Sequence, residues 1–388
     1  MVLSNKAQGL KLSGIREINE LLQKIPDVIR LEFGEPDFDP PEHVKKAAID
    51  AILQGKGKYV SSAGIPELRR AIVDKLKSEN NINYDISEVV VTNGANGAIH
   101  YSLEAIVNEG EEVLIPDPGW ANYEQAVKAI GAKPVFYPLY EEDNFEPRVD
   151  EIEKLITNKT KAIMINSPNN PTGAVYSRKT IEDIANLALQ HNLFVLTDEV
   201  YEKFIYEEVS SENKHVSIAS LNDEIKQKTL TINSLSKTYA MTGWRIGYVA
   251  GPQEIMSAIM KLISAEESCV NTISQYAAIA ALRGPQDFTN RMIHAFSERR
   301  KFLIKGLSEV RGFKSFIPKG AFYLFVNVKE LGMDSYSLAI KILKEAHVAL
   351  VHGSAFGKNG EGYLRLSYAA SIKDLEEAIK RLTNLFNR

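Results

Sequence analysis

The sequence predicts an α/β protein: a mostly parallel, seven-stranded sheet covered by helices, with a smaller α+β domain. Three observations carry this. Between residues 88 and 250, short apolar runs alternate with helical patterns, which is how strands buried on both faces of a parallel sheet read. Each run but the last leads into a polar segment, often with Gly or Pro. From about Arg311 the texture changes to a closer mix of strands and helices. On this reading residues 1–40 form an arm and part of the small domain, 41–285 the large domain, and 286–388 the rest of the small domain.

In chain order, residues up to Lys24 mix polar and apolar types and read as an arm or short helix. Val28–Phe33 reads as a strand, and Gly34-Glu-Pro-Asp-Phe-Asp-Pro-Pro41 as an ordered loop that cannot be helical. A helical pattern covers 44–53. A second helix has Pro66 in its first turn and Leu68, Ile72 and Leu76 on one face. The seven runs are then 89–91, 113–115, 134–137, 162–165, 193–196, 229–233 and 246–250, with a helix over 180–191. A long helical region follows from Pro252 past Tyr276. Beyond it come a strand at 321–326, a helix at 335–346, a strand at 348–351, a strand at 362–367 and a last helix. That helix opens at Ser371 with Asp374 as capping-box partner.

Composition narrows the functional classes. A chain of 388 residues with 44% hydrophobic and 25% charged residues is an ordinary globular protein, large enough for two domains. Its net charge of -4 offers no basic footprint for nucleic acid and no polybasic arm for membranes. The single cysteine, Cys269, excludes an intrachain disulfide framework and a multi-cysteine metal site, and the seven histidines form no His-x-x-x-His pair. No metal is expected. Without an apolar signal core or a membrane-length run, a cytoplasmic location is expected.

The chemistry gathers at the strand ends. In an open parallel sheet the carboxyl ends share one edge, where ligands bind. That edge collects Lys237, Asp198, Tyr201, Asn170, Arg245, Ser234, Ser236 and Trp120, with a glycine-bearing turn at Gly94-Ala95-Asn96. Taken singly, each has an ordinary explanation: Asp198 and Glu199 as a solvated or capping pair, Arg245 in a salt bridge, Asn170 in a turn. Together they answer the needs of pyridoxal 5'-phosphate. Its phosphate wants a helix amino terminus, hydroxyls and an arginine. Its pyridine nitrogen wants an acid, its ring an aromatic face, and its aldehyde a lysine amine.

Two motifs are specific: Ser-Leu-Ser-Lys-Thr-Tyr-Ala-Met-Thr-Gly-Trp-Arg at 234–245 and Asn-Asn-Pro-Thr-Gly at 169–173. Through them, and from Gly34-Glu-Pro-Asp37 to Arg365-Leu-Ser-Tyr368, the chain resembles the class I/II aminotransferases, the fold-type I pyridoxal-phosphate enzymes typified by aspartate aminotransferase. The resemblance implies that Lys237 binds the cofactor aldehyde and then moves the substrate α-proton, and that Asp198 pairs with the pyridine nitrogen. It further implies that Tyr201 and Asn170 hold the ring oxygen and Trp120 stacks on the ring. Ser234, Ser236 and Arg245, with the Gly94–Asn96 turn, would hold the phosphate. Arg365 would fork the substrate α-carboxylate, with Asn170 and the Gly34 backbone beside it. Tyr59 would reach the phosphate in a neighbouring subunit, which implies a homodimer with shared active sites.

The implied reaction is ping-pong transfer of an amino group from an L-amino acid to a 2-oxo acid such as 2-oxoglutarate, with aspartate or aromatic donors favoured. Arg16 and Ser13-Gly14-Ile15 are possible neighbours of the substrate side chain. His352 stands where related sequences often carry proline. The same scaffold supports a pyridoxal-phosphate lyase as an alternative, and a non-catalytic binding module as a distant one. The presence of both Lys237 and Arg365 argues against the latter.

Overall fold

The computed structural model describes residues 8–9, 25–206 and 215–387. A two-residue strand, β1 (Ile29–Arg30), precedes helices α1 (Glu42–Leu53) and α2 (Pro66–Asn80). Pro66 opens α2, where a missing N–H costs nothing, and Asn81 ends it in the left-handed conformation. Leu68, Ile72 and Leu76 are fully buried along one face, each contributing about 1.5–3 kcal/mol.

The strands of the main sheet are β2 (Val89–Asn93), β3 (Glu112–Asp117), β4 (Lys133–Pro138), β5 (Thr160–Asn166), β6 (Phe194–Asp198), β7 (Thr229–Ser234) and β8 (Ile246–Ala250). They lie in the order β2-β8-β7-β6-β5-β3-β4. From β7 to β4 all pairings are parallel. β8 runs against both of its neighbours, so β2 points the same way as the parallel set. The carboxyl ends of β2, β3, β5, β6 and β7 therefore share one edge, and the segment that follows β7 returns into β8 along it. Helices α3 (Gly94–Ile106), α4 (Asn122–Ala129), α5 (Val149–Leu155) and α6 (Arg178–Gln190) connect the strands. Separate apolar cores lie to either side of the sheet, one around Val90, Ile99, Met164 and Leu196 and another around Leu114, Ile163, Ile184 and Val195. Short helices α7 (Asp223–Lys226) and α8 (Leu235–Thr238) flank β7.

Past β8 the expected long helical region is three helices: α9 (Gln253–Glu266), α10 (Thr272–Arg283) and α11 (Asp287–Leu307). The first break has a local cause. Ser268 is left-handed, and the Asn271 side chain accepts from Ser274 N–H at 2.9 Å, starting a new helix. Gly284 and Pro285 make the second.

The smaller unit holds β9 (Lys314–Ser315), β10 (Tyr323–Asn327), α12 (Ser335–Ala346), β11 (Val348–Ala349), β12 (Val351–His352), β13 (Tyr363–Ser367) and α13 (Ile372–Phe386). Its antiparallel sheet has the order β12-β13-β10-β9, and Arg365 sits in the middle strand between Val351 and Phe325. Three expectations need correction here. The strand expected at 348–351 is divided: Val348–Ala349 pairs with β1, whereas Val351–His352 pairs with β13. Because β1 finds only that short partner, the strand expected over 28–33 shrinks to two residues. At α13 the Ser371 hydroxyl does accept from Asp374 N–H at 3.1 Å. The Asp374 carboxylate, however, accepts from the Ser371 hydroxyl at 2.7 Å, so the cap is one-sided.

Candidate active site

At the carboxyl edge of the main sheet lies a cavity of about 210 Å³. Its wall includes Gly34, Ala95, Asn96, Trp120, Asn170, Asp198, Tyr201, Ser234, Ser236, Lys237, Arg245 and Arg365. Residues more than three hundred positions apart in sequence thus meet in one place.

Asp198 ends β6 and is buried. Its carboxylate accepts from the Tyr123 hydroxyl at 2.7 Å and from Val200 N–H at 3.2 Å. Burial pushes the Asp198 carboxyl up to about 6, although both hydrogen bonds favour the charged form. A cationic nitrogen brought beside it would reverse that shift. In the adjacent register Asn166 donates to the Asp198 carbonyl at 2.9 Å and accepts from Asn170 N–H at 2.8 Å. The acid and the Asn170 turn are therefore fixed to each other.

Lys237 lies in α8, whose first turn is capped by the Ser234 side chain. Its Nζ donates to the Gly34 carbonyl at 2.5 Å. Burial lowers the amine to about 8, with Glu35 opposing and Arg365 and Arg245 assisting. An amine in that range is a usable base near neutral pH.

At the opposite end, α3 begins at Gly94 with no side-chain cap and no acidic residue in its first turn. The Ala95 and Asn96 segment, Ser234, Ser236 and Arg245 converge beside it. Open amides at a helix start, hydroxyls and a guanidinium make an anion cradle. Gly94 is not in the cavity wall but directly behind it: its φ is +69°, and a Cβ there would come 2.4 Å from Arg245 Nη2. Glycine is needed for both reasons.

Arg365 is 1% exposed. It donates from Nη1 to Asn170 Oδ1 at 2.9 Å and from Nη2 to the Glu32 carbonyl at 2.5 Å. Its guanidinium lies 4.5 Å from the Tyr323 ring centre and 4.9 Å from that of Phe356. Nε has no hydrogen-bond partner among the described residues. A buried guanidinium held by neutral acceptors invites a carboxylate.

Several wall residues escaped the sequence reading: Tyr123, Asn166, Val200, Thr242 and Tyr323. Tyr123 could have been found, since it follows Trp120 by three positions and their rings meet edge-on at 5.4 Å. Asn166 ends β5 as Asp198 ends β6. Tyr323 gave no signal, because it reads as one more core aromatic. Its hydroxyl meets that of Tyr201 at 2.8 Å, and a Cβ on Gly34 would strike it at 2.0 Å. Glu199 is not the solvated partner of Asp198 but fully buried. Tyr59 lies away from this cavity and is 88% exposed. His352 is a buried β12 residue whose Nδ1 bonds the Ser354 hydroxyl at 2.7 Å, outside the cavity wall. Ser13, Gly14, Ile15 and Arg16 lie outside the described residues. Among the described residues no helix is long and apolar enough to cross a membrane.

A buried acid, an amine of lowered basicity and an anion cradle at the parallel-sheet edge, faced by a buried arginine from the smaller antiparallel sheet, fit an amino-group-transferring enzyme. The chain belongs to the class I and II aminotransferases, whose family model matches residues 26–382. It is 46% identical over 385 residues to the aspartate aminotransferase of Pyrococcus abyssi, covering 98% of this chain and 97% of that one. To the aromatic-amino-acid aminotransferase 2 of Thermococcus litoralis it is 43% identical, again over 98% and 97%. Among solved structures, the aspartate aminotransferase of Thermus thermophilus with maleate superposes with a TM-score of 0.94 at 37% identity, over the full length of both chains.

Proposed function

We propose that this aminotransferase uses pyridoxal 5'-phosphate to move the amino group of aspartate or an aromatic amino acid to a 2-oxo acid such as 2-oxoglutarate, in ping-pong fashion. One observation carries the reading: Lys237, Asp198 and Arg365 share a single cavity with the cradle at the start of α3. When bound, the cofactor supplies an aldehyde that takes up the amino group and a cationic ring that withdraws electrons.

The donor set fits this group. Ser234, Ser236, Arg245 and the first amides of α3 would hold the phosphate, and Asp198 would keep the ring nitrogen protonated. Burial drives the Tyr201 phenol well above its ordinary range, so it stays protonated and can donate to the ring oxygen alongside Asn170. Trp120 would cover one ring face. Arg365 would orient the substrate by its α-carboxylate, placing the α-carbon toward Lys237. The neutral Lys237 Nζ would then accept the substrate α-proton and hand it on. With its amine near 8, about a quarter is neutral at pH 7.5.

Residues 41–285 would form the cofactor-holding unit, with 1–40 and 286–388 closing over the substrate; the pairing of β1 with β11 supports joining the two ends of the chain. A homodimer is supported by exposed apolar side chains at the end of α1 and just after it: Ile52 is 62%, Leu53 79% and Tyr59 88% exposed. In it Tyr59 would complete the phosphate site of the second copy. A cytoplasmic location accords with the single cysteine.

The test is an absorbance titration of cofactor-loaded protein with aspartate, phenylalanine or glutamate, followed by 2-oxoglutarate. Loss of the visible band on amino acid and its return on oxo acid are expected. Loss with ammonia release and no return would mean an eliminating enzyme, and no cofactor uptake would mean a binding protein.

A further inference from the structure

Behind the site, on the side away from the cavity, lies a buried polar cluster that the reaction does not use directly. The segment Asp198-Glu-Val-Tyr-Glu202 has two faces. Asp198 and Tyr201 line the cavity, whereas Glu199 and Glu202 point into the cluster. Glu202 is 8% exposed. It accepts from Lys75, from Asn80 Nδ2 at 2.6 Å and from Asn233 Nδ2 at 2.8 Å. Glu199 accepts from Ser217 at 2.7 Å and Thr197 at 3.1 Å, and faces His215 at 2.9 Å.

The informative member is Asn233. One end of its amide donates to Glu202, and the other accepts from Ser234 N–H at 2.7 Å. Ser234 caps the turn that carries Ser236 and Lys237. A continuous path thus runs from Lys75 in α2, through Glu202 and Asn233, to the backbone of the lysine turn.

We propose that Lys75, Glu202 and Asn233 are positioning residues that hold the Ser234–Lys237 turn in register with the Asp198–Tyr201 segment. A buried ion pair is a poor device for stability alone, because apolar residues of similar volume often serve equally well. Its advantage is directional: one carboxylate locks three elements, α2, the segment after β6 and the end of β7, at fixed angles. Burial pushes Glu202 up, but Lys75, His215 and the hydrogen bonds outweigh it and bring the carboxyl to about 2, so the clamp stays ionised across the working range. Glu199, Glu202 and His215 bring their ligand atoms within 4.8 Å of one another, yet the Lys75 ammonium already supplies the cation.

This inference rests on the function proposed above, since it assigns Lys237 the reacting amine. The test compares cofactor-free wild type, Asn233→Ala and Glu202→Gln. Two quantities are read: the pH midpoint for acetylation of Lys237 by acetic anhydride, followed by peptide mass analysis, and the dissociation constant for pyridoxal 5'-phosphate. The wild-type midpoint should lie near 8. In both variants it should rise by about one unit toward the ordinary lysine value of about 10.4 as the turn loosens and Lys237 hydrates. Cofactor affinity should fall about tenfold, as when supporting partners of a ligand shell are removed. Asn233→Ala changes no charge and leaves the Lys75–Glu202 pair in place, so it decides the matter if Glu202→Gln does not fold. An unchanged midpoint and affinity in a variant that merely melts earlier would overturn the proposal. Wild-type protein that takes up no cofactor would sink the proposed function instead, and the Lys237 midpoints would still decide the positioning role.

Discussion

Asp198→Asn should make the cofactor-free protein more stable at pH 8 and much less active once loaded. The carboxyl rises from an ordinary 3.8 to about 6 on folding. That is about 2.2 units, or about 3 kcal/mol at 1.36 kcal/mol per unit. The sign follows from linkage. With the folded pKa raised, the native state binds the proton more tightly, so this group's contribution falls as pH climbs from about 4 to about 6 and is level beyond. Asparagine removes that cost. It gives back about 1 kcal/mol by keeping only one carbonyl acceptor for Tyr123 and Val200 N–H. The net gain at pH 8 is about 2 kcal/mol, or roughly 2–3 °C in melting temperature for a chain this long. At pH 4 the gain should vanish or turn slightly negative. Asp117, which burial also pushes up to about 6, titrates in the same window but is common to both proteins and cancels in the difference. The assay is thermal melting of both cofactor-free proteins at pH 4, 5, 6 and 8, alongside turnover of the loaded enzymes. Turnover should drop about 10²–10³-fold, the scale of a lost electrostatic stabiliser. A variant that is less stable at pH 8, or whose stability difference ignores pH, would refute both the buried charge and its assigned role.

Three further changes probe other parts of the molecule. Gly94→Ala forces a side chain onto a φ of +69° and against Arg245; it should cost about 1–3 kcal/mol in melts and weaken cofactor uptake, measured by equilibrium dialysis, about tenfold or more. Arg365→Lys replaces a planar fork by a point charge; kcat/KM for donor and acceptor should fall about 10–150-fold, the worth of a charged hydrogen bond, while cofactor affinity stays within threefold. Ser371→Ala removes the cap of α13; it should lower stability by about 1 kcal/mol, seen as a small melting shift with unchanged turnover.

Much of this architecture was legible because parallel sheets write themselves plainly. A strand buried on both faces must be an apolar run, and the polar residues that end it must sit at the edge. Hence Asp198, Asn170, Lys237 and Arg245 can be placed on one edge from the sequence alone. Smaller features depended on partners that sequence does not announce. The run at 348–351 has the composition of one strand, but its halves serve two sheets because β1 ends where it does. Tyr323 reads as core from composition and is core by burial; only its hydroxyl, aimed at Tyr201, separates it from Phe322 beside it.

Glu199 and Glu202 show the same limit from the other side. After a strand, an acidic residue normally means solvent or a cap, and that is the ordinary explanation of Asp198 and Glu199 taken singly. Helix α2, more than a hundred residues earlier, brings Lys75 against Glu202 and Asn80 against both acids, while Ser217 and His215 close on Glu199. Neither helix nor acid pair shows this need by itself. The helix carries an unremarkable lysine one position before its inward-facing Leu76, and the acids follow a strand of ordinary composition. Only their meeting turns two surface-like charges into a buried clamp. The part of the site that lines the cavity is thus largely written in short motifs at strand ends, while the part that holds those motifs still is written in side chains from distant elements.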